Sequence, residues 1–214
     1  LISIEKLAKK LEEAAQLDKI PSLLIPVHLG GASCDMEAIS KLSKKYGFKI
    51  LEDASHAIGG KYKGIYVGAC EYSDITVFSF HPVKIITSGE GGIVTTNNKK
   101  LHQLMHKLRS HGITKNFDEL ENKNMEEWYY EQQLLGYNYR MTDIAAGLGI
   151  SQLSRLDSFV STRHIIAERY NNELLSMPIK LPKVIKESYS SYHLYVIRLK
   201  LKEINKTHQQ INDE

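Results

Sequence analysis

The stretch DITVFSFHPVKIITSGEGGIVTTN, residues 74 to 97, holds two apolar runs, ITVFSF and GGIVTTN, with one lysine between them. ITVFSF is continuous rather than alternating, the pattern of a strand covered on both faces. It ends at Pro82, which cannot donate to a ladder, and Lys84 follows just before the glycines of TSGEGG. Ligands of α/β sheets lie beyond the carboxyl ends of strands, so Lys84 stands where an amine can meet one. A lysine held near a carbonyl and partly desolvated is a nucleophile that forms a Schiff base. The competing reading is a solvated lysine at a strand end, which is the commoner case.

Outward from this stretch, helical and strand patterns alternate. LISIEKLAKKLEEAAQ (1–16) places Ile4, Leu7, Ala8, Leu11 and Ala15 at helical spacing, and SLLIPVHL (22–29) reads as a buried strand. In DMEAISKLSKKYG (35–47), Met36, Ile39 and Leu42 share a face, with Asp35 as N-cap and Gly47 as the stop. FKILEDAS (48–55) is another strand, and KKLHQLMHKLRSHG (99–112) a helix ending at Gly112. Residues 113–135 are polar and aromatic without a period, which suggests a functional or partner-contacting loop. TDIAAGLGISQLSRLDSFVSTRHIIAERYNNELL (142–175) predicts a long helix with a bend near Asp157. Past Met177, Pro178 and Pro182 precede YHLYVIRL, an alternating strand. The class is α/β, a mainly parallel sheet flanked by helices. Residues 1–157 form its large domain, and 158–214 a linking helix and the start of a small α/β domain.

Composition excludes several functions. Lys and Arg total 28 against 25 Asp and Glu, and the lysines are scattered, so neither nucleic acid nor an anionic membrane is expected as partner. No apolar stretch approaches the roughly 20 residues of a membrane span, and the N-terminus lacks the order of a secretory signal. Cys34 and Cys70 have no CxxC spacing, which suits reduced thiols and a cytoplasmic location.

In ILEDASHAIGG (50–60), Asp53 ends a buried strand. A carboxylate there needs a cationic or hydrogen-bonding partner, or it caps the following turn; the sequence leaves both open. His102 and His106 are spaced as in a zinc pair, but Leu101, Leu104, Met105 and Leu108 explain the segment as an amphipathic helix, and no metal is expected. TSGEGG lacks the Lys-Ser/Thr of a Walker loop. Trp128, Tyr129, Tyr130, Tyr137 and Tyr139 suit stacking on a sugar or base as well as an interface. Arg140 is open between a substrate anion and a structural partner. His28 and His81 are candidates to line the site, without an assigned role.

Taken together, EDASHA (52–57), SFHPVK (79–84) and TSGEGG (87–92), with PVHLGG (26–31), DITVFSF (74–80) and GYNYRMTDIAA (136–146), resemble the DegT/DnrJ/EryC1/StrS-type sugar aminotransferases. These are fold-type-I enzymes that use pyridoxal 5'-phosphate (PLP), and the likeness covers almost the whole chain. EDASHA, SDITVFSFHPVK and KLRSHGI are most similar to the transaminases of the pseudaminic acid route, which aminate C4 of a UDP-linked 4-keto-6-deoxy sugar. The resemblance implies that Lys84 carries the cofactor as a Schiff base and moves the proton. It implies that Asp53 pairs with the pyridinium nitrogen, His56 lies near the ring hydroxyl, and Ser79 bonds the phosphate. Asn138 would reach the phosphate of a neighbouring subunit in a homodimer with shared sites; His81, Tyr137 and Arg140 are candidates for substrate contact. Glutamate is the implied amino donor. The family's members extend beyond both ends of this chain, and their phosphate-binding glycine-threonine loop lies ahead of its start. A dehydratase of the same fold replaces the lysine by histidine, and Lys84 argues against it; a non-catalytic assembly or regulatory module of this fold is the other alternative.

Overall fold

The computed structural model describes residues 1–123 and 125–213. Its elements run α1 (Ile4–Gln16), β1 (Leu23–Leu24), α2 (Met36–Tyr46), β2 (Lys49–Asp53), β3 (Lys61–Tyr62), β4 (Ile65–Tyr66), β5 (Ile75–Ser79), β6 (Gly92–Thr95), α3 (Lys99–Leu108), β7 (Ile113–Thr114), β8 (Glu131–Gln132), α4 (Asp143–Leu153), α5 (Leu156–Glu173), β9 (Ile179–Lys180), β10 (Ser188–Tyr189), β11 (Arg198–Leu199) and α6 (His208–Asp213).

Local signals set the first elements. Ser3 caps α1 by accepting from the Lys6 amide, and Asp35 caps α2 by accepting from the Ala38 amide at 3.1 Å. Gly47, at φ 83°, closes α2 in the left-handed conformation. The apolar faces of both helices then meet the sheet. Leu11, Met36, Ile39, Phe48, Ile50 and Tyr62 form one buried cluster.

The main sheet has the order β1-β2-β5-β6. β1, β2 and β5 are parallel, with Leu24 opposite Ile50 and Asp53 opposite Val77. β6 runs antiparallel, Val77 facing Val94 and Ser79 facing Gly92. The link from β5 to β6 contains no helix, so no crossover carries the chain back to start a parallel strand.

Two predicted strands are shorter than their patterns. In SLLIPVHL only Leu23–Leu24 pair as a strand. Pro26 brings no amide to the ladder, and contact resumes as a single bridge from Val27 to Asp53. YHLYVIRL is not an eight-residue strand: Tyr192 turns at φ 47°, and only Arg198–Leu199 pair, with β9. Docking overrides the alternation, because the Ser191 and Leu194 amides donate to the carbonyls of Gly31 and Gly30 at 3.0 and 3.2 Å.

The predicted bend of the long helix falls at Ser154–Arg155, between α4 and α5. Within 113–135, of which Asn124 lies outside the described residues, β7 pairs with β8. Lys107 ties this segment to α3 through Glu119 at 2.9 Å and Gln133 at 2.7 Å. The chain beyond Met177 is fastened to the first half, where β10 pairs with β3 and the Ser33 amide donates to Ser188 Oγ. No helix among the described residues is long and apolar enough to cross a membrane.

A buried ionisable pair lies inside this core. Glu52 is 5 % exposed and His28 fully buried. Their contact is 2.7 Å from His28 Nε2 to Glu52 Oε2, while Thr76 and Ser73 donate to Glu52 Oε1. Burial pushes the Glu52 carboxyl up, but the His28 contact and the two hydroxyls outweigh it and hold its pKa below the ordinary value. Burial also opposes charge on His28, and the contacts with Cys34 and Glu52 outweigh it and raise that pKa to about 9. The Cys34 amide sets a limit, since it donates to Nδ1 and a second ring proton must displace it.

Removing Glu52 leaves His28 buried without its partner. We expect Glu52→Ala to cost about 3–5 kcal/mol, a fall of roughly 10 °C in Tm at this chain length. Because the folded pKa of Glu52 is depressed, its contribution is present above the usual Glu value of about 4.3 and is lost as pH falls through the folded pKa. Thermal unfolding between pH 7 and pH 3, wild type against Glu52→Ala, reads both effects.

Candidate active site

β2 and β5 end side by side, and their last residues are Asp53 and Ser79. Phe80 to Gly91 then forms a loop tied back on itself. The Lys84 amide donates to the His81 carbonyl at 2.9 Å, closing a turn with Pro82 at its second position. The Thr87 hydroxyl and Ser88 amide both donate to the Phe80 carbonyl, and the Phe80 amide donates to Gly91. Ile85 and Ile86 are buried against Val160 of α5 and anchor the half-buried Lys84 beside them. Gly91, at φ 152°, has the Met141 Cε where a Cβ would reach 2.6 Å, so GYNYRM passes over this loop.

Each of the gathered side chains has one valence committed and one left. Asp53 Oδ1 accepts the Ser55 amide at 3.1 Å, which is the turn-capping role, while no hydrogen bond holds Oδ2 among the described residues. Both readings of Asp53 are therefore compatible. Ser79 Oγ accepts the His81 amide, leaving its O–H to donate. His56 Nδ1 accepts the Gly30 amide at 3.3 Å, which puts the ring proton on Nε2. Burial and the Lys84 charge lower the His56 pKa, with Asp53 opposing them. Lys84 and Asp53 thus act on the His56 imidazole in opposite senses.

The structure adds a residue that the sequence pattern gave no reason to choose. His193 lies against His56, ring centroids 4.5 Å apart and planes tilted by 49°. Among the described residues, its buried Nδ1 has no hydrogen-bond partner. Burial, then the charges at His56, Lys84 and Arg163, push its pKa down to about 4, and Arg163 donates to the carbonyls of Tyr192 and His193 at 3.0 and 3.3 Å. Gly30 and Gly31 bring it there. At φ 101°, Gly31 meets the Ser191–His193 backbone so closely that a Cβ would lie 2.8 Å from the Tyr192 nitrogen.

The remaining candidates stand apart. Tyr137, Asn138 and Arg140 are exposed, and Asn138 bridges Ser110 at the end of α3. None of their hydrogen bonds or ring contacts reaches Asp53, His56, Ser79 or Lys84; Tyr137 stacks on Tyr139 at 4.8 Å. His81 is exposed on the lysine turn, accepting the Val83 amide at Nδ1. His28 belongs to the Glu52 pair rather than to the site. Among the described residues, no group of His, Cys, Asp and Glu is arranged to hold a metal. A cavity of about 570 Å³ between the β3–β4 hairpin and α5 contains none of these side chains.

A half-buried amine, a carboxylate with a free oxygen, a hydroxyl donor and a fixed imidazole N–H suit an aromatic cationic cofactor with a phosphate. The DegT/DnrJ/EryC1/StrS aminotransferase family model matches residues 1–213. The chain belongs to this family. A curated relative, the UDP-4-amino-4,6-dideoxy-N-acetyl-beta-L-altrosamine transaminase of Campylobacter jejuni, is 45 % identical over 174 residues, covering 81 % of this chain and 43 % of its own length. Helicobacter pylori PseC, an aminotransferase involved in pseudaminic acid biosynthesis, superposes with a TM-score of 0.75 at 34 % identity, over 83 % of this chain and 45 % of PseC. The aminotransferase from Psychrobacter cryohalolentis superposes over the whole chain and 55 % of its own, with a TM-score of 0.83 at 28 % identity. The fold is that of the fold-type-I PLP aminotransferases, and the aminotransferases of this family use PLP. The chain spans about half the length of the curated relatives it matches.

The docking of 190–194 on Gly30–Gly31 is testable. Gly31→Ala combines a left-handed residue with a backbone clash and should cost about 2–4 kcal/mol. Amide exchange should accelerate at Ser191 and Leu194 while Ala38 keeps its protection; unchanged exchange at the first two would refute the docking.

Proposed function

We propose that the protein carrying this chain is a PLP-dependent aminotransferase that moves an amino group from glutamate to C4 of a UDP-linked 4-keto-6-deoxy sugar. Its product would serve a surface or flagellar sugar such as pseudaminic acid. The observation that carries the reading is Asp53 at the end of β2 and Lys84 in the loop that leaves the neighbouring parallel strand β5, both acting on the His56 imidazole. The C. jejuni relative favours this substrate class.

Bound PLP supplies an electron sink for the pair left when a proton departs the substrate carbon. Lys84 Nζ would hold the cofactor through its carbonyl and would serve as the base and acid for that proton. Asp53 Oδ2 would hold the ring nitrogen and, as an anion, would favour its protonated form. The His56 Nε2–H would donate to the ring hydroxyl, and the Ser79 O–H to a phosphate oxygen. His81, Tyr137 and Arg140 are candidates for contact with the sugar nucleotide.

The reading includes a homodimer with shared sites. α4 is apolar around its whole circumference and has no buried residue, with Ile144 88 % and Ile150 70 % exposed. Such a helix is buried in an assembly. A second copy covering it would bring Asn138, on the segment leading into α4, towards a neighbouring phosphate. The large domain is taken to end at residue 157 and the small one to begin after it. Both cysteines are free thiols, in keeping with a reducing cytoplasm.

Purified protein given PLP should show a visible absorbance band that borohydride removes, and Lys84→Ala should show none. Amino transfer from glutamate to the UDP-linked 4-keto sugar should fall in Lys84→Ala by roughly 10²–10⁴-fold or more. A wild-type protein of full length without the band or the transfer would sink the reading. Ile144→Glu with Ile150→Glu should shift a sedimenting dimer towards monomer; a dimer untouched by both would move the interface elsewhere.

A further inference from the structure

Beside His193, away from the sheet, lies a second cavity of about 190 Å³ walled by Arg163, Ile166, Tyr170, Tyr192, His193 and Tyr195. Its volume falls below the roughly 300 Å³ at which drug-sized ligand pockets begin, so it suits a small molecule rather than a sugar nucleotide. No Asp or Glu lines it, while a guanidinium does. One nitrogen of Arg163, Nη1, holds the carbonyls of Tyr192 and His193. Among the described residues its Nε and Nη2 donate to no protein acceptor.

We propose that this cavity is the carboxylate subsite of the amino donor: Arg163 pairs with the side-chain carboxylate of a small dicarboxylic amino acid, and His193 hydrogen-bonds the same molecule where the cavity adjoins His56. This inference rests on the aminotransferase reading of the Lys84 site and names how that site takes its donor.

Three observations converge on it. A half-buried guanidinium whose remaining N–H groups lack acceptors is matched by an anion, and carboxylate is its geometric complement. His193 has a buried Nδ1 without a partner and touches both compartments, through the cavity wall on one side and the His56 ring on the other. The positive charges of Lys84 and Arg163 both act on His193, so the space between them favours an anion over a neutral sugar hydroxyl. Tyr195 gives its hydroxyl to Asn171 at 2.6 Å and so serves as wall rather than ligand.

The test uses the purified protein with L-glutamate as probe and norvaline, which lacks the side-chain carboxylate, as control. In wild type, glutamate should shift the His193 imidazole NMR signals and norvaline should do so far less. Arg163→Lys keeps the charge but loses the fork, His193→Phe keeps the ring contact with His56 but loses Nδ1, and Ile166→Trp fills the cavity from an exposed position. Each should raise the KM for glutamate roughly ten- to a hundredfold while leaving the KM for the sugar nucleotide within about twofold. Thermal unfolding identifies any variant that fails to fold, and Ile166→Trp, which changes an exposed residue, then decides. Folded variants with unchanged KM for glutamate, or equal rises for both substrates, overturn the subsite. If no transfer occurs even in wild type, the aminotransferase reading fails, and the NMR titration still decides the subsite: a glutamate shift at His193 lost in Arg163→Lys supports it, and no shift overturns it.

Discussion

A carboxylate cannot be left uncompensated in a protein core, and the order of this chain follows from how Glu52 is compensated. His28 meets it at 2.7 Å, and two hydroxyls from the segment before and within β5 complete its shell. That pair fixes His28, and the Cys34 amide on the other ring nitrogen fixes the loop between them. The loop is LGGAS, whose Gly30 amide sets the tautomer of His56 and whose Gly31 admits the segment bearing His193. A contact with no atom in the candidate site therefore orients two of its rings.

Adjacent residues of one strand face opposite ways, and the dipeptide Glu52-Asp53 uses this. Glu52 turns into the core and is neutralised there. Asp53, one residue on, stands at the strand end with one oxygen capped by Ser55 and the other uncommitted. The two carboxylates differ in role because their environments differ, the burial of one being the condition for the position of the other.

Much of the site was legible because its signals are local. A strand ending in proline, then lysine, then glycines places Lys84, and a carboxylate closing a buried strand places Asp53; both ends prove to be neighbours in the sheet. Helix caps at Asp35 and Gly47 likewise follow from single residues. His193 and Arg163 were not legible, since what gives them a role is contact across more than a hundred residues between the Gly30–Gly31 loop and Ser191. The alternation of YHLYVIRL was misleading for the same reason: its amides bond to a loop rather than to a strand. His28 could have been suspected only by asking what neutralises Glu52, a question that composition never raises.

The neutrality of the two rings decides what Asp53 can do. A protonated imidazole beside it would be its natural ion-pair partner and would occupy the oxygen that Ser55 leaves open. Burial together with the Lys84 charge keeps both His56 and His193 below their ordinary pKa, so neither competes for the anion near neutral pH. Asp53 is thereby reserved for a cation brought from outside the chain. The same charge from Lys84 that denies the histidines a proton also makes the cavity beyond His193 receptive to an anion. Asp53 thus presents an anion at the strand ends, while Lys84 and Arg163 present positive charge on the side of His193.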